Sequence, residues 1–171
     1  MKIAFAEISR EKSRYTIRDC SWLPSGEVNV GAPLTAEIDV QLKGPGTVSL
    51  EGTLVGSIIL DCARCTDPVT YDLDEEFVYL LTTREDEISE LPDIECSTEE
   101  CDTLYLKEPV VDVAEILREQ FVLAIPGKVL CSGGCRGLCP NCGGSLNRNE
   151  CSCSESPPDS PFAVLKKLKK D

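Results

Sequence analysis

Cysteine is the residue type in this chain with the greatest capacity for chemistry, and its distribution is uneven. Eleven cysteines occur among 171 residues. Thiolates are soft ligands that suit zinc, and a Cys-x2-Cys spacing supplies two of them from one tight turn. More than half of the cysteines fall in one short segment near the end of the chain, at Cys131, Cys135, Cys139, Cys142, Cys151 and Cys153. This segment is therefore the candidate metal-binding part of the protein.

The spacing within this segment favours one tetrahedral ligand set. Cys139-Pro140-Asn141-Cys142 places two thiols on one turn, and Gly143 permits the left-handed conformation that often closes such a turn. Cys151 and Cys153 lie two apart, so in an extended strand they project to the same side. We predict one structural zinc ion, bound by Cys139, Cys142, Cys151 and Cys153, with Cys131 and Cys135 as reserve ligands. Because six thiols offer several choices of four, spacing alone leaves the set open.

The alternative is that these cysteines are free thiols in a loop. Between Val129 and Cys153 the only large apolar residues are Val129, Leu130, Leu138 and Leu146. They are too few to order a glycine-rich stretch, whereas a structural zinc site supplies on the order of 10 kcal/mol of folding free energy. Four protein ligands also leave no open coordination position, so we expect the zinc to be structural rather than catalytic.

A second Cys-x2-Cys motif, Cys62-Ala63-Arg64-Cys65, lies far from the first. Thioredoxin-like redox centres carry this spacing at the N-terminus of a helix, where the helix dipole lowers the thiol pKa. Thr66-Asp67-Pro68 follows here, with no helical pattern. We interpret the motif as a turn at a strand end or half of another metal site. A thiol oxidoreductase or redox sensor that uses Cys62 and Cys65 is the alternative function.

The composition excludes several functional classes. The chain contains no histidine, so it has no Ser-His-Asp triad, no Cys-His pair and no His-ligated zinc. It also lacks the glycine-rich motifs that bind phosphate groups. We therefore predict no catalytic residue, no enzymatic activity and no small-molecule substrate.

Charge and hydropathy restrict the partners and the compartment. The net charge is -13, from 17 basic and 30 acidic side chains. Between residues 72 and 102, thirteen acidic residues accompany only Arg84, whereas residues 126–171 carry a weak positive excess. No apolar run reaches the length of a membrane span, and Glu7 interrupts any signal-peptide core. We expect a cytoplasmic protein with no membrane partner.

Periodicity predicts an α+β fold, with an antiparallel β meander or small barrel, a packed helix and a small Cys-rich zinc module. Alternating apolar residues predict strands between residues 34 and 83, with bulges or sharp bends at Gly52 and Gly56. An acidic loop (84–107) precedes a helix over 112–125 with Asp112 as its N-cap. The predicted domains are 1–126, and 127–171 with a short basic C-terminal helix. Its basic residues are Lys166, Lys167, Lys169 and Lys170.

Several of these segments together resemble a known family. They are Cys62-Ala63-Arg64-Cys65, Leu123-Ala124-Ile125-Pro126, the run from Cys135 to Gly143, Cys151-Ser152-Cys153 and Pro161-Phe162-Ala163-Val164-Leu165. The chain resembles the YceD-type family, the large ribosomal RNA subunit accumulation proteins. The resemblance implies a role in the accumulation of large-subunit ribosomal RNA without known catalysis. Cys96 and Cys101 depart from the family pattern, which leaves a second metal or a local disulfide there as an open question.

Charge limits how such a role could work. Residues 1–125 carry 26 acidic and 10 basic side chains, so they should be repelled by a phosphate backbone and attracted to a basic protein. We hypothesise a non-enzymatic ribosome-assembly factor whose acidic face binds a basic ribosomal protein or a large-subunit assembly intermediate. The zinc module and the segment Lys166–Lys170 are the candidates for contact with ribosomal RNA. The sequence leaves the identity of the partner, the assembly step and the oligomeric state open.

Overall fold

The structure is a computed structural model in which residues 1–23, 28–83 and 103–153 are described. The chain divides into two compact units. The first unit contains Met1–Leu60 and Thr70–Gly127, and the second contains Asp61–Val69 and the chain from Lys128 onward. The second unit is therefore assembled from two pieces that lie far apart in the sequence.

The described residues form seven strands, one α-helix and one 3-10 helix, Phe5–Glu7. The strands are β1 (Lys2–Ala4), β2 (Ser13–Ile17), β3 (Asn29–Gly44), β4 (Thr47–Asp61), β5 (Pro68–Thr82), β6 (Thr103–Tyr105) and β7 (Val110–Asp112), and the helix is α1 (Val113–Ala124). Strands β2 to β6 form one sheet in the order β2-β3-β4-β5-β6, and β1 pairs with β7. The mainly β fold with a helix confirms the α+β class, and no helix among the described residues has the length and apolar character to cross a membrane.

The long hairpin of β3 and β4 provides the frame of the main sheet. Its antiparallel register is closed by Pro45 and Gly46, and Gly46 has a φ of +70°. The register shifts where Ala32 pairs with Ser57 and Thr35 with Val55, so two residues of β3 face Gly56 alone. A Cβ on Gly56 would lie 2.6 Å from the Leu34 side chain. The predicted bulge at this position therefore lies on β3, and Gly56 is the β4 residue opposite it, where only glycine tolerates this close approach.

Helix α1 joins the same hydrophobic core as the sheet. Its buried residues recur at helical spacing, at Val113, Ile116, Leu117 and Phe121. Asp112 accepts hydrogen bonds from the backbone N–H groups of the first turn, which confirms the predicted N-cap. Capping of this kind stabilises a helix by about 1 kcal/mol. Trp22 packs edge-on against Phe121 with ring centroids 5.9 Å apart, as expected of an anchoring core residue.

Some sequence predictions for this unit are wrong. Gly52 forms no bulge or bend, because β4 continues through it and Gly52 pairs in regular register with Ile38. The predicted loop 84–107 contains strand β6, which pairs in parallel with β5. Strands β1, β2 and β7 were not predicted. The predicted basic helix, Cys96 and Cys101 lie outside the described residues.

Gly52 has a packing role that gives a stability prediction. A Cβ on Gly52 would lie 2.4 Å from the ring of Phe77, a buried core residue of β5. We expect Gly52→Ala to lower the free energy of unfolding by about 1–3 kcal/mol, because the ring must move within a packed core. The midpoint of urea denaturation measures this change.

Gly44→Ala is the matched control, because a Cβ on Gly44 would meet no atom within 4 Å. We expect its unfolding free energy to stay within about 0.5 kcal/mol of the parent value. Equal effects of the two substitutions would show that Phe77 does not occupy the space above Gly52.

Candidate metal centres

The first cysteine cluster joins the two pieces of the second unit. It consists of Cys62, Cys65, Cys131 and Cys135, whose sulfur atoms all lie within 4.8 Å of one another. The Cys62 and Cys135 sulfurs are 3.8 Å apart, and those of Cys65 and Cys131 are 3.5 Å apart. Three of the four side chains are buried, and Val69 and Leu130 pack against them. This cluster is therefore the buried centre of the unit.

The second cysteine cluster lies within a single stretch of the same unit. It consists of Cys139, Cys142, Cys151 and Cys153, again with all sulfur atoms within 4.8 Å of one another. The Cys142 and Cys151 sulfurs are 3.7 Å apart. Only Cys139 is buried, whereas Cys142 and Cys153 are exposed to solvent. The two clusters therefore differ in how easily solvent reaches them.

Each cluster begins with the same local turn. The N–H of Cys62 donates to the Asp67 carbonyl at 2.8 Å, and the N–H of Thr66 donates back to the Cys62 carbonyl at 2.9 Å. In the second cluster the N–H of Cys139 donates to the Gly144 carbonyl at 2.8 Å, and the N–H of Gly143 donates to the Cys139 carbonyl at 2.9 Å.

The residue after each Cys-x2-Cys motif has a positive φ, which is 58° at Thr66 and 71° at Gly143. This conformation brings the backbone around so that both thiols of the motif lie on one side. A glycine adopts it without cost, whereas Thr66 is a β-branched residue for which positive φ is a genuine outlier. The strain at Thr66 is retained because the surrounding turn holds both cysteines of the motif together.

The sulfur geometry fits one tetrahedral metal ion in each cluster. Four sulfurs about 2.3 Å from a zinc ion lie about 3.8 Å from one another. The observed sulfur separations of 3.5 to 3.8 Å match this value, and they are far longer than a disulfide bond of about 2.05 Å. All eight cysteines are unpaired thiols. Each cluster could therefore hold a metal ion through four thiolates, a donor set compatible with zinc.

Backbone N–H groups prepare one thiol of each turn for ionisation. Burial opposes ionisation of Cys62, but the N–H groups of Arg64 and Cys131 donate to its sulfur, and its pKa falls to about 6. The N–H groups of Cys142 and Asn141 likewise lower the pKa of Cys139 to about 6. Thiolates are the form that binds metal, so these turns favour metal binding near neutral pH.

The Cys153 thiol responds to its neighbours in the second cluster. Hydrogen bonds with the Cys142 and Cys151 side chains raise the pKa of Cys153 to about 12. Closely packed thiols cannot all ionise, because each negative charge opposes the next. A bound cation would remove this opposition, so the charge pattern of the cluster suits a metal ion.

The structure brings the sequence-predicted ligands together in two groups. Cys139, Cys142, Cys151 and Cys153, the preferred set, form the second cluster. The reserve ligands Cys131 and Cys135 lie in the first cluster, beside Cys62 and Cys65. Sequence reasoning noted that Cys62-x2-Cys65 could be half of a metal site but did not find the other half. The available signal was a second pair of cysteines, Cys131 and Cys135, left over from the preferred set.

The surroundings of Cys62 and Cys65 bear on the redox alternative. Their side chains are only 1% and 3% exposed, so an attacking disulfide or oxidant would reach neither sulfur directly. The motif lies at the turn between β4 and β5 rather than at a helix N-terminus. These features favour a metal ligand over a reactive thiol.

Most of this chain matches a known protein family. Residues 50–169 match the family described as "Large ribosomal RNA subunit accumulation protein YceD", and this range contains both cysteine clusters. The chain belongs to the YceD family. No solved structure shows significant similarity to this YceD-family chain.

Individual relatives support the same assignment. A maize protein named "Large ribosomal RNA subunit accumulation protein YCED homolog 1, chloroplastic" is 26% identical over an alignment of 180 positions, gaps included, and the alignment covers 89% of this chain and 60% of that protein. An uncharacterized protein of Mycobacterium tuberculosis is 30% identical over an alignment of 125 positions, which covers 68% of this chain and 53% of that protein. The Arabidopsis thaliana homolog 1 is 24% identical, over 81% of this chain and 49% of that protein. The chain thus spans about half to three fifths of the length of these relatives.

Metal content gives a direct prediction for the two clusters. We expect the purified protein to carry two zinc ions per chain, and Cys142→Ser and Cys62→Ser to carry one each, since each substitution removes one ligand from one cluster. Native mass spectrometry measures the number of bound ions.

Cys20→Ser provides the matched control, because Cys20 lies outside both clusters. It should retain two ions. Metal loss from Cys20→Ser, or two ions retained in both cluster variants, would contradict the assignment of ligands.

Proposed function

We propose that this protein is a non-enzymatic ribosome-assembly factor that supports accumulation of large-subunit ribosomal RNA in the cytoplasm. The family match over residues 50–169 is the observation that carries this proposal, because the family and its plant relatives are named for large ribosomal RNA subunit accumulation. The matched range includes both cysteine clusters, so the two clusters lie in the part of the chain that matches the family.

In this proposal each cysteine cluster holds one structural zinc ion. The four sulfurs would complete the tetrahedral coordination, so no position remains for a water molecule or a substrate. The chain has no histidine to act as a general base at neutral pH. The zinc centres would thus order a surface for binding rather than perform a reaction, and no small-molecule substrate or membrane takes part.

We place the contact with a basic protein on the solvent face of the main sheet. A groove of about 280 Å³ crosses this face, and its lining includes Glu37, Asp39, Glu51 and Glu76. Arg14 forms a two-pronged ion pair with Asp39, with both N–O distances at 2.8 Å, and lowers the pKa of that carboxyl. Lys12 pairs with Glu51 at 2.6 Å.

Glu37 and Glu76 remain without an ion pair among the described residues. Both are exposed, and the neighbouring β5 residues Asp72 and Asp74 are exposed as well. Arg14 partly offsets the charge of Glu37. The net acidic charge of this face suits a lysine- or arginine-rich partner, which long-range attraction would steer toward it. A basic ribosomal protein or an assembly intermediate containing one has this chemistry, and the second unit and the segment Lys166–Lys170 are the proposed contacts with ribosomal RNA.

Loss of the protein should impair the large subunit selectively. In cells lacking it, we expect sucrose-gradient sedimentation to show fewer large subunits relative to small subunits, and a matching fall in large-subunit ribosomal RNA. The full chain should restore the profile. An unchanged ratio of subunits in the deleted strain would rule out the assembly role.

Charge reversal tests the partner-binding face. In crosslinking followed by affinity purification, we expect Glu37→Lys with Glu76→Lys to lose most of the ribosomal proteins that the parent chain captures, because the groove would repel basic side chains. The control is Glu7→Lys with Glu119→Lys, which changes the net charge equally at exposed positions outside the groove.

The control should keep the captured proteins at the parent level. Recovery of ribosomal RNA without any ribosomal protein, or equal losses in the two double variants, would contradict a protein-binding role for this face.

A further inference from the structure

The chain between Cys142 and Cys151 reaches from the second cysteine cluster back to the first. We call residues 143–150 the return loop. The Asn147 side-chain amide donates to the Cys135 sulfur of the first cluster at 3.3 Å. Its carbonyl oxygen accepts from the Arg136 N–H at 2.8 Å. One side chain of the return loop therefore contacts both a ligand of the first cluster and the backbone next to that ligand.

A second side chain of the return loop makes a parallel contact. Arg148 donates to one carboxylate oxygen of Asp67 at 2.5 Å. The other carboxylate oxygen of Asp67 lies 3.4 Å from the Cys65 sulfur, and its backbone carbonyl accepts from the Cys62 N–H. Arg148 thus holds the residue that closes the first Cys-x2-Cys turn.

The backbone of the return loop pairs with residues 136–138, which form the short spacer between the two clusters. The N–H of Leu146 donates to the Gly137 carbonyl at 2.9 Å, and Leu138 forms a β-bridge with Ser145. Gly137 has a φ of +78°, and a Cβ there would lie 3.1 Å from the Arg64 carbonyl. The spacer is thus held tightly against the first Cys-x2-Cys turn on one side and pairs with the return loop on the other.

The two ends of the return loop lie at the second cluster. The loop begins after Cys142 and ends at Cys151, so a metal ion bound by these two residues would fix both of its ends. Its interior contains Leu146 as the only large apolar side chain, which contributes little to ordering eight residues. Without the second metal, the loop would lose the constraint on its ends and, with it, part of what holds Asn147 against Cys135.

From these contacts we propose that the two metal centres are thermodynamically coupled, with Asn147 as the positioning residue that links them. Metal binding to the second cluster orders the return loop, places the Asn147 amide on the Cys135 sulfur and strengthens metal binding at the first cluster. The N–H donor stabilises the charge of a ligating thiolate, and loss of such a contact typically weakens metal affinity by about 10–100-fold. Coupling between two sites is reciprocal, so the first metal strengthens binding of the second equally. The inference rests on the proposed occupancy of both clusters by zinc.

The two clusters differ in solvent exposure, so they have different roles in this coupling. The second cluster exposes Cys142 and Cys153, whereas the first buries Cys62, Cys65 and Cys135. The second cluster is accordingly the one that exchanges metal with solvent, and its occupancy sets the affinity of the buried one. Loss of zinc from the second centre would therefore weaken the binding of zinc at the first centre.

Zinc titration against a chelator of known affinity tests the coupling. Cys142→Ser keeps only the first centre, and Cys62→Ser keeps only the second. We expect the product of the two stepwise binding constants in the full-length parent to exceed the product of the two single-centre constants by about tenfold or more. Asn147→Ala should reduce this excess to about one, while in the Cys142→Ser background it should leave the first-centre constant unchanged.

Asn29→Ala is the matched control, since Asn29 is an exposed residue of β3 in the first unit and belongs to neither cluster. It should preserve the excess. Two bound ions with equal products of constants, or an excess that survives Asn147→Ala, would overturn the coupling while leaving the zinc proposal intact. A parent chain that binds fewer than two ions would instead overturn the zinc proposal and the coupling with it.

Discussion

Four sulfur atoms within 4.8 Å of one another cannot all carry negative charge unless a cation lies among them, and the second unit is built around two such groups. Its apolar interior is small, with Val69 and Leu130 against the buried cysteines of the first cluster. The first unit has a different basis, since its sheet and helix share one hydrophobic core. The two units therefore depend on different interactions, and loss of metal should act on the second one alone.

The most informative feature of the cysteine-rich unit is the repetition of one turn. The same pair of backbone hydrogen bonds and the same positive φ occur at Cys62–Cys65 and at Cys139–Cys142. In the second turn a glycine adopts the left-handed conformation, whereas in the first turn a threonine is forced into it. Two unrelated segments that converge on one geometry indicate a common requirement, which is the placement of two thiolates on one side of a turn.

Sequence reasoning succeeded where the determining interactions are local. The N-cap at Asp112 and the alternating apolar residues of the strands between residues 34 and 83 each depend on residues a few positions apart. It failed where partners lie far apart in the chain, since Cys62 and Cys135 are separated by 73 positions. Strand β6 was missed for a different reason. Its three residues carry no periodicity that could reveal a strand.

The charge distribution bears on the proposed partner. Two carboxylates in the groove of the main sheet pair with Arg14 and Lys12, whereas Glu37 and Glu76 form no ion pair among the described residues, and we propose that they attract a basic partner. Such attraction acts mainly on the rate and specificity of association. A factor that binds its partner transiently during assembly needs this property more than it needs a large apolar interface.

The most direct test of the central claim is hydrogen exchange of residues 128–153, measured before and after removal of metal by a chelator. If thiolate-bound metal orders the second unit, its backbone amides are protected in the metal-bound protein and exchange rapidly after chelation, while the amides of β3 and β4 within Met1–Leu60 keep their protection. Residues 128–153 that stay protected in metal-free protein would contradict the account.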